Sequence, residues 1–275
     1  MIAKHSALRS KMRSNSKVEN SPARSGLEHS HEPTAIRARL NKPVRKSYLR
    51  DAIYGSIDGA VTTFAVVSGV SGAGLPASIV IVLGVANLVG DGFSMAAGNF
   101  LGTRAENQRR DRLETIEKKH IEQCPEGETE EIRQILRADG YSGDLLEQTI
   151  SHVVADQKRW IKTMLEHEYG VSGERLSPVP AALTTFVSFL VVGTLPLLPF
   201  VGMLLVPGNE STMDSTPFMI SSAITAIAFL IVGAIKSKFA EQYWLWSALE
   251  TLGVGAIAAG LAYGCGYALN QVAGL

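Results

Sequence analysis

The sequence predicts an all-α polytopic membrane protein of five transmembrane helices, with a polar helical domain inserted between spans two and three. Three observations carry that prediction. First, the 275 residues hold five runs almost free of charge, at 52–72, 77–101, 179–206, 217–235 and 243–269. Each is long enough to cross a bilayer, for which roughly 20 apolar residues suffice. Second, Lys and Arg occur twelve times in 1–50, twelve times in 103–177 and twice in 236–238, which is all 26 of them. Third, the loops at 72–76 and 207–216 and everything after Lys238 carry none. A soluble domain of buried helices has no reason for this segregation. With five spans, the positive-inside rule puts the N-terminus, the 103–177 segment and the 236–242 loop in the cytoplasm. The C-terminus then faces outside or into a lumen.

Other functions are excluded early. The formal net charge is zero, so bulk charge predicts no nucleic-acid partner. The two cysteines, Cys124 and Cys265, fall in different compartments and form neither a disulfide nor a cysteine-based metal site.

Residues 1–47 read as a disordered basic cytoplasmic tail, rich in Ser, Arg, Lys and His and poor in large apolar residues. No signal-peptide h-region is visible in it. Spans one and two occupy 48–102. Span one carries Asp58 between Gly55 and Gly59, a small-xxx-small pair that lets helices approach closely. After a Gly/Pro turn at 71–76, span two carries Asn87, Asp91, Met95 and Asn99, spaced four residues apart and so on one helix face. An ionisable group inside a membrane span is a functional-site hypothesis by default. A thioether one turn from a carboxylate combines a soft and a hard ligand, which suits a borderline transition ion better than Ca²⁺ or Mg²⁺.

The segment 103–177 is polar, with 16 acidic and 12 basic residues, but its sequence remains helical. Thr103 to Gln123 has no Gly or Pro and continues span two into the cytoplasm, carrying Glu114, Glu117 and His120 three residues apart. Pro125 ends it. A second helix is expected from Glu126 to Ala138 with Glu128 and Glu131, and a third from Asp144 to Tyr169 with Met164 and Glu168. Mixed charge on a helix is ordinarily a solvated face. Here the Glu pairs recur at helix-face spacing, and Met164 with Glu168 repeats the pairing of span two. Together they predict a three-helix cytoplasmic metal-binding domain that collects Fe²⁺ or a similar ion. Glu117-x-x-His120 also has the spacing of di-iron carboxylate bundles, which need two such motifs.

Spans three to five occupy 178–275. Pro196 and Pro199 predict a kink in span three, with freed carbonyls that a neighbour or water must satisfy. Lys236 closes span four and can snorkel to the cytoplasmic face. Trp244 and Trp246 mark the interface at the start of span five. Glu250, two turns into that Gly-rich span, is a candidate proton carrier or a structural hydrogen-bond partner. Asn87 is a second candidate on the proton or ion path. No phosphate-cradling loop or nucleophile elbow occurs, so transport, if any, is driven by a gradient.

Several segments resemble the vacuolar iron transporter family. They are Tyr54-Gly-Ser-Ile-Asp58-Gly-Ala-Val-Thr-Thr-Phe64, Asp91-Gly-Phe-Ser-Met95-Ala-Ala-Gly-Asn-Phe-Leu101, Pro125-Glu-Gly-Glu-Thr-Glu-Glu-Ile132, Phe189-Leu-Val-Val-Gly-Thr-Leu-Pro-Leu-Leu-Pro199 and the Gly-rich final span. The resemblance covers about residues 47–270. It implies a homodimer with the ion path between subunits near spans one and two, and proton-coupled export of Fe²⁺, with Mn²⁺ as the second candidate, from the cytosol into an organelle or out of the cell. It implies no resident cofactor and no enzyme: the metal is transported substrate. On the family's pattern Asp58 and Met95 match membrane ion-site positions. Glu117, Glu128, Glu131, Met164 and Glu168 match cytoplasmic metal ligands. His120 stands where Glu is expected, and Leu165 where a second Met is common. The rival readings are a membrane-tethered metal buffer or sensor, and a di-iron oxidoreductase, neither of which transports.

Overall fold

A computed structural model describes residues 30–42, 47–173, 175–205 and 215–273. The chain divides at Arg45/Lys46 into two units. In the first, most of the expected disordered tail lies outside the described residues. Among its described residues Pro33–Leu40 forms a short helix, α1, with no buried residue. Pro at its first position presets the backbone, and Arg37 and Arg39 complement the C-terminal dipole.

Among the described residues of the second unit the α-helices are α2 (Leu49–Gly72), α3 (Ala77–Gln123), α4 (Pro125–Ala138), α5 (Gly143–Val154), α6 (Gln157–His167), α7 (Pro178–Gly193), α8 (Leu198–Leu204), α9 (Thr216–Ala240) and α10 (Trp244–Ala273). Five stretches among these residues are long and apolar enough to cross a membrane: Leu49–Gly72, Ala77–Gln123, Pro178–Met203, Thr216–Phe239 and Trp244–Val272. They coincide with the five runs read from the sequence, and the chain is an integral membrane protein.

Helix α2 is the hub, packing against α3, α7, α9 and α10. Its glycines make this possible. A Cβ at Gly55 would overlap the carbonyl oxygen of Thr185, and one at Gly59 that of Phe189. Both helices therefore run backbone against backbone, as the Gly55/Gly59 pair predicts. Around this contact Phe64, Val67, Val80, Leu88, Phe189 and Leu197 form the membrane core. The prolines bend span three as expected. Helix α7 gives way to a 3₁₀ turn at Leu195–Leu197 before α8, and the Ser221 hydroxyl of α9 donates to the Pro196 carbonyl at 2.7 Å.

Helix α3 runs unbroken for 47 residues, so span two and the first helix of the polar segment are one rod. At its far end α4, α5 and α6 close a second core of Ile132, Leu136, Leu146, Ile150, Trp160 and Met164. The third polar helix expected over Asp144–Tyr169 is two helices, split at Ala155–Asp156. The cause is Asp156, whose carboxylate accepts the backbone N–H of Lys158 at 2.9 Å and of Arg159 at 3.4 Å. That is an N-cap, which starts a new helix rather than continuing the old one.

Candidate functional site

The candidate residues form two groups, about 33 Å apart along α3 at 1.5 Å per residue from Met95 to Glu117. In the membrane group, Asp58 is half-buried on α2. Asn87 reaches the same turn, its amide donating to Thr62 Oγ1 at 3.4 Å. Asp91 lies within electrostatic range of Asp58 but is itself exposed on the surface of the single chain. Met95 is half-buried and packs on the membrane core. Spacing alone did not show that these residues divide between a covered and an uncovered environment.

Met95 also lines a cavity of 820 Å³ at the polar end of the spans, together with Asp51, Tyr54, Asn99, Thr103 and Arg110. Asn99 ties its walls together. Its amide donates to Asp51 Oδ1 at 2.9 Å and to Thr185 Oγ1 at 2.7 Å, linking spans one, two and three. Asn99 stood on the predicted face, but its two partners are 48 and 86 residues distant, beyond the reach of any local pattern.

The second group is a carboxylate cluster where α3, α4 and α6 meet. Glu117 is fully buried and Glu128 is 5% exposed. Glu117 accepts the Tyr169 hydroxyl at 2.9 Å, and His120 Nδ1 lies 3.3 Å from Glu128 Oε1. The other oxygen of each carboxylate, Oε2, is buried and has no hydrogen-bond partner. Such groups are rare because desolvating an anion without a partner is costly. Burial, then repulsion from Glu131 and Glu117, pushes the Glu128 carboxyl up to about 7, with His120 opposing. Burial and the bond to Glu117 push the Tyr169 phenol up as well. Glu168, exposed at the C-terminal cap of α6, adds its charge to the same field, and Glu131 is exposed on α4. Met164, one turn before Glu168, is fully buried. Among the described residues no three His, Cys, Asp or Glu side chains converge at metal-ligating distances. The donor set of carboxylates, an imidazole and a thioether still suits a borderline divalent ion.

Two candidates have other engagements. Glu114 pairs with Arg110 at 3.5 Å and Arg175 at 3.0 Å. Glu250 accepts from Lys236 Nζ at 2.8 Å, so Lys236 is paired within the bundle. Tyr169 and Arg175 were not among the residues singled out from the sequence. Neither belongs to a periodic pattern, and both act across more than 50 residues.

Five spans, one of them continued by a long polar helix that carries buried Glu117, define a polytopic membrane protein. The chain belongs to the VIT family, whose model matches residues 49–267. It is similar to a vacuolar iron transporter of Centaurea cyanus, 31% identical over 219 residues that span 78% of this chain and 85% of the relative. Vacuolar iron transporter 1 of Arabidopsis thaliana is 31% identical over 78% of this chain and 83% of its own. A vacuolar iron transporter of Toxoplasma gondii is 28% identical over 260 residues, 94% of this chain and 86% of its own.

Proposed function

We propose that this protein is a proton-coupled transporter of divalent transition metal, Fe²⁺ and secondarily Mn²⁺, exporting it from the cytosol into an organelle or out of the cell. The observation that carries the reading is one rod with two acidic stations. Helix α3 bears buried Glu117, with its unpaired oxygen, at one end and Asp91 and Met95 within the membrane. The names of the relatives support iron as the cargo.

In this reading Glu117, His120, Glu128, Glu131, Met164 and Glu168 capture the ion on the cytoplasmic side. It then enters the cavity at Met95 and reaches Asp58, with Asp91 beside it. Carboxylates must be deprotonated to hold metal, so protons arriving from the opposite side displace the ion from the same groups. Asp91 also supports a second copy of the chain. An exposed carboxylate beside Gly90, which has open space around it, would otherwise face lipid. A homodimer covers that strip. The di-iron oxidoreductase reading is not favoured, since the relatives carry the name of transporters.

The test is Fe²⁺ uptake by proteoliposomes with an acidic lumen. Uptake should collapse with the pH gradient and with Asp58→Ala, while the variant keeps the wild-type melting behaviour. Uptake indifferent to the gradient indicates a channel or uniporter. Metal bound without uptake leaves the buffer or sensor.

A further inference from the structure

We infer that Arg175 is a positioning residue for metal capture: it clamps the segment after α6 onto α3 and so holds Met164 and Glu168 over Glu117. This inference rests on the capture role proposed above for the cluster.

The clamp is built along one face of α3. Asn107, Arg110, Glu114 and Glu117 recur every three or four residues, with Asp111 one turn from Asn107, so they form a single stripe. Every member of the stripe engages the segment between Tyr169 and Leu176. The Asn107 amide donates to the Leu176 carbonyl at 2.9 Å, and Arg110 Nη1 donates to the Gly173 carbonyl at 2.6 Å. Arg175 bridges Asp111 and, at 3.0 Å, Glu114. The Tyr169 hydroxyl closes the row on Glu117 at 2.9 Å. Gly170 and Gly173 have φ of 64° and 97°, values that allow the chain to double back along the helix.

The geometry matters because of what lies just upstream. Helix α6 ends at His167, with Met164 in its last turn and Glu168 as its C-cap. These two donors come from α6, whereas Glu117 and His120 come from α3, and Glu128 and Glu131 from α4. The registry of α6 on α3 sets where these donors stand relative to one another. Trp160 and Met164 anchor α6 on one side through the apolar core. The other side is held by the clamp. Arg175 suits the role, because its Nη2 lies against both carboxylates at once and a guanidinium keeps its charge at any working pH. It also accounts for Glu114, which lies in line with Glu117 and is held by Arg110 and Arg175.

An isolated surface ion pair contributes little to stability. The expected effect is therefore on metal affinity, where loss of a group that orients ligands typically costs about 10–100-fold. The experiment uses purified full-length protein and Fe²⁺ under anaerobic conditions. Arg175→Gln should weaken Fe²⁺ binding about tenfold with the number of bound ions unchanged. In proteoliposomes the Fe²⁺ concentration for half-maximal uptake should rise while the maximal rate is kept. Arg175→Lys, which keeps the charge but not the guanidinium's reach and planarity, should fall between. Without metal, backbone hydrogen exchange across 157–173 should speed up in Arg175→Gln. Wild-type affinity and wild-type exchange in Arg175→Gln would overturn the inference, as would equal loss of maximal rate and affinity, the mark of general misfolding. Should that variant not fold, Asp111→Asn removes one of the two anionic partners of Arg175 and must show the same shift in affinity for the inference to stand. A wild-type protein that binds no Fe²⁺ sinks the capture reading itself, while the exchange measurement still reports on the clamp.

Discussion

Glu128 carries an unusual chemical load for a single residue. Its carboxyl titrates near 7 in the fold, because burial and the neighbouring Glu131 and Glu117 oppose its charge. An unfolded Glu titrates at about 4.3. Between those values the folded protein holds a proton that the unfolded chain has lost. Stability of the metal-free protein is therefore greatest below the unfolded value and falls as pH rises through the window, by of order 1–3 kcal/mol once Glu128 is ionised. Glu128→Gln removes that cost. It should melt higher than wild type at about pH 8, little differently at about pH 5, and lose any stabilisation by Fe²⁺. A variant that melts lower at the alkaline pH would mean the carboxylate is held by partners rather than strained. The same titration predicts that Fe²⁺ binding weakens as pH drops below about 7, with proton release measurable in weakly buffered solution. At this scale the sequence was legible in residue type and spacing: Glu117, His120, Glu128 and Glu131 do share one field. It was not legible in partnership. Glu114 and Glu117 look alike on the helix, yet Arg175 and Tyr169, which distinguish them, lie 61 and 52 residues away.

Among the elements, Gly59 of α2 and Gly90 of α3 have opposite surroundings. At Gly59 a side chain would meet the Phe189 backbone, whereas at Gly90 nothing lies within 4 Å. Gly59→Ala should therefore force α2 and α7 apart and destabilise the protomer by about 1–3 kcal/mol, the usual cost of overpacking. Gly90→Ala should leave the protomer's melt unchanged or raise it, since Ala favours a helix over Gly by about 1 kcal/mol. Thermal melts of both variants in detergent check the pair. Equal effects would mean that α2–α7 contact is not what Gly59 serves. The spans were readable because apolar length and small-residue spacing are local properties. The continuity of α3 was readable for the same reason, as no Gly or Pro interrupts 103–123. The break at Asp156 was missed because the surrounding residues favour a helix. Only the aspartate's bonds to the N–H groups of Lys158 and Arg159 reveal that a new helix starts there.

For the whole molecule, the direction of transport hangs on which side of the membrane holds the lobe of α4, α5 and α6. Charge gives the expectation: all twelve Lys and Arg of 103–177 lie between spans two and three, and the loops on the opposite side carry none. Cys124 offers a direct probe, for it is a free, exposed thiol where α3 meets α4. Cys265, the other free thiol, lies in α10 and is removed by Cys265→Ala to leave one reporter. In sealed vesicles with the cytoplasmic face inward, a membrane-impermeant maleimide should leave Cys124 unmodified. In vesicles of inverted orientation it should label Cys124 without detergent. The outcome bears on mechanism as well as topology. A carboxylate such as Glu128, poised to lose its proton near neutral pH, captures metal where the medium is neutral and releases it where it is acidic. A lobe on the cytosolic side thus loads from the cytosol. Labelling of Cys124 in the first preparation alone would put the cluster on the outer or lumenal side, and the same chemistry would then run as import.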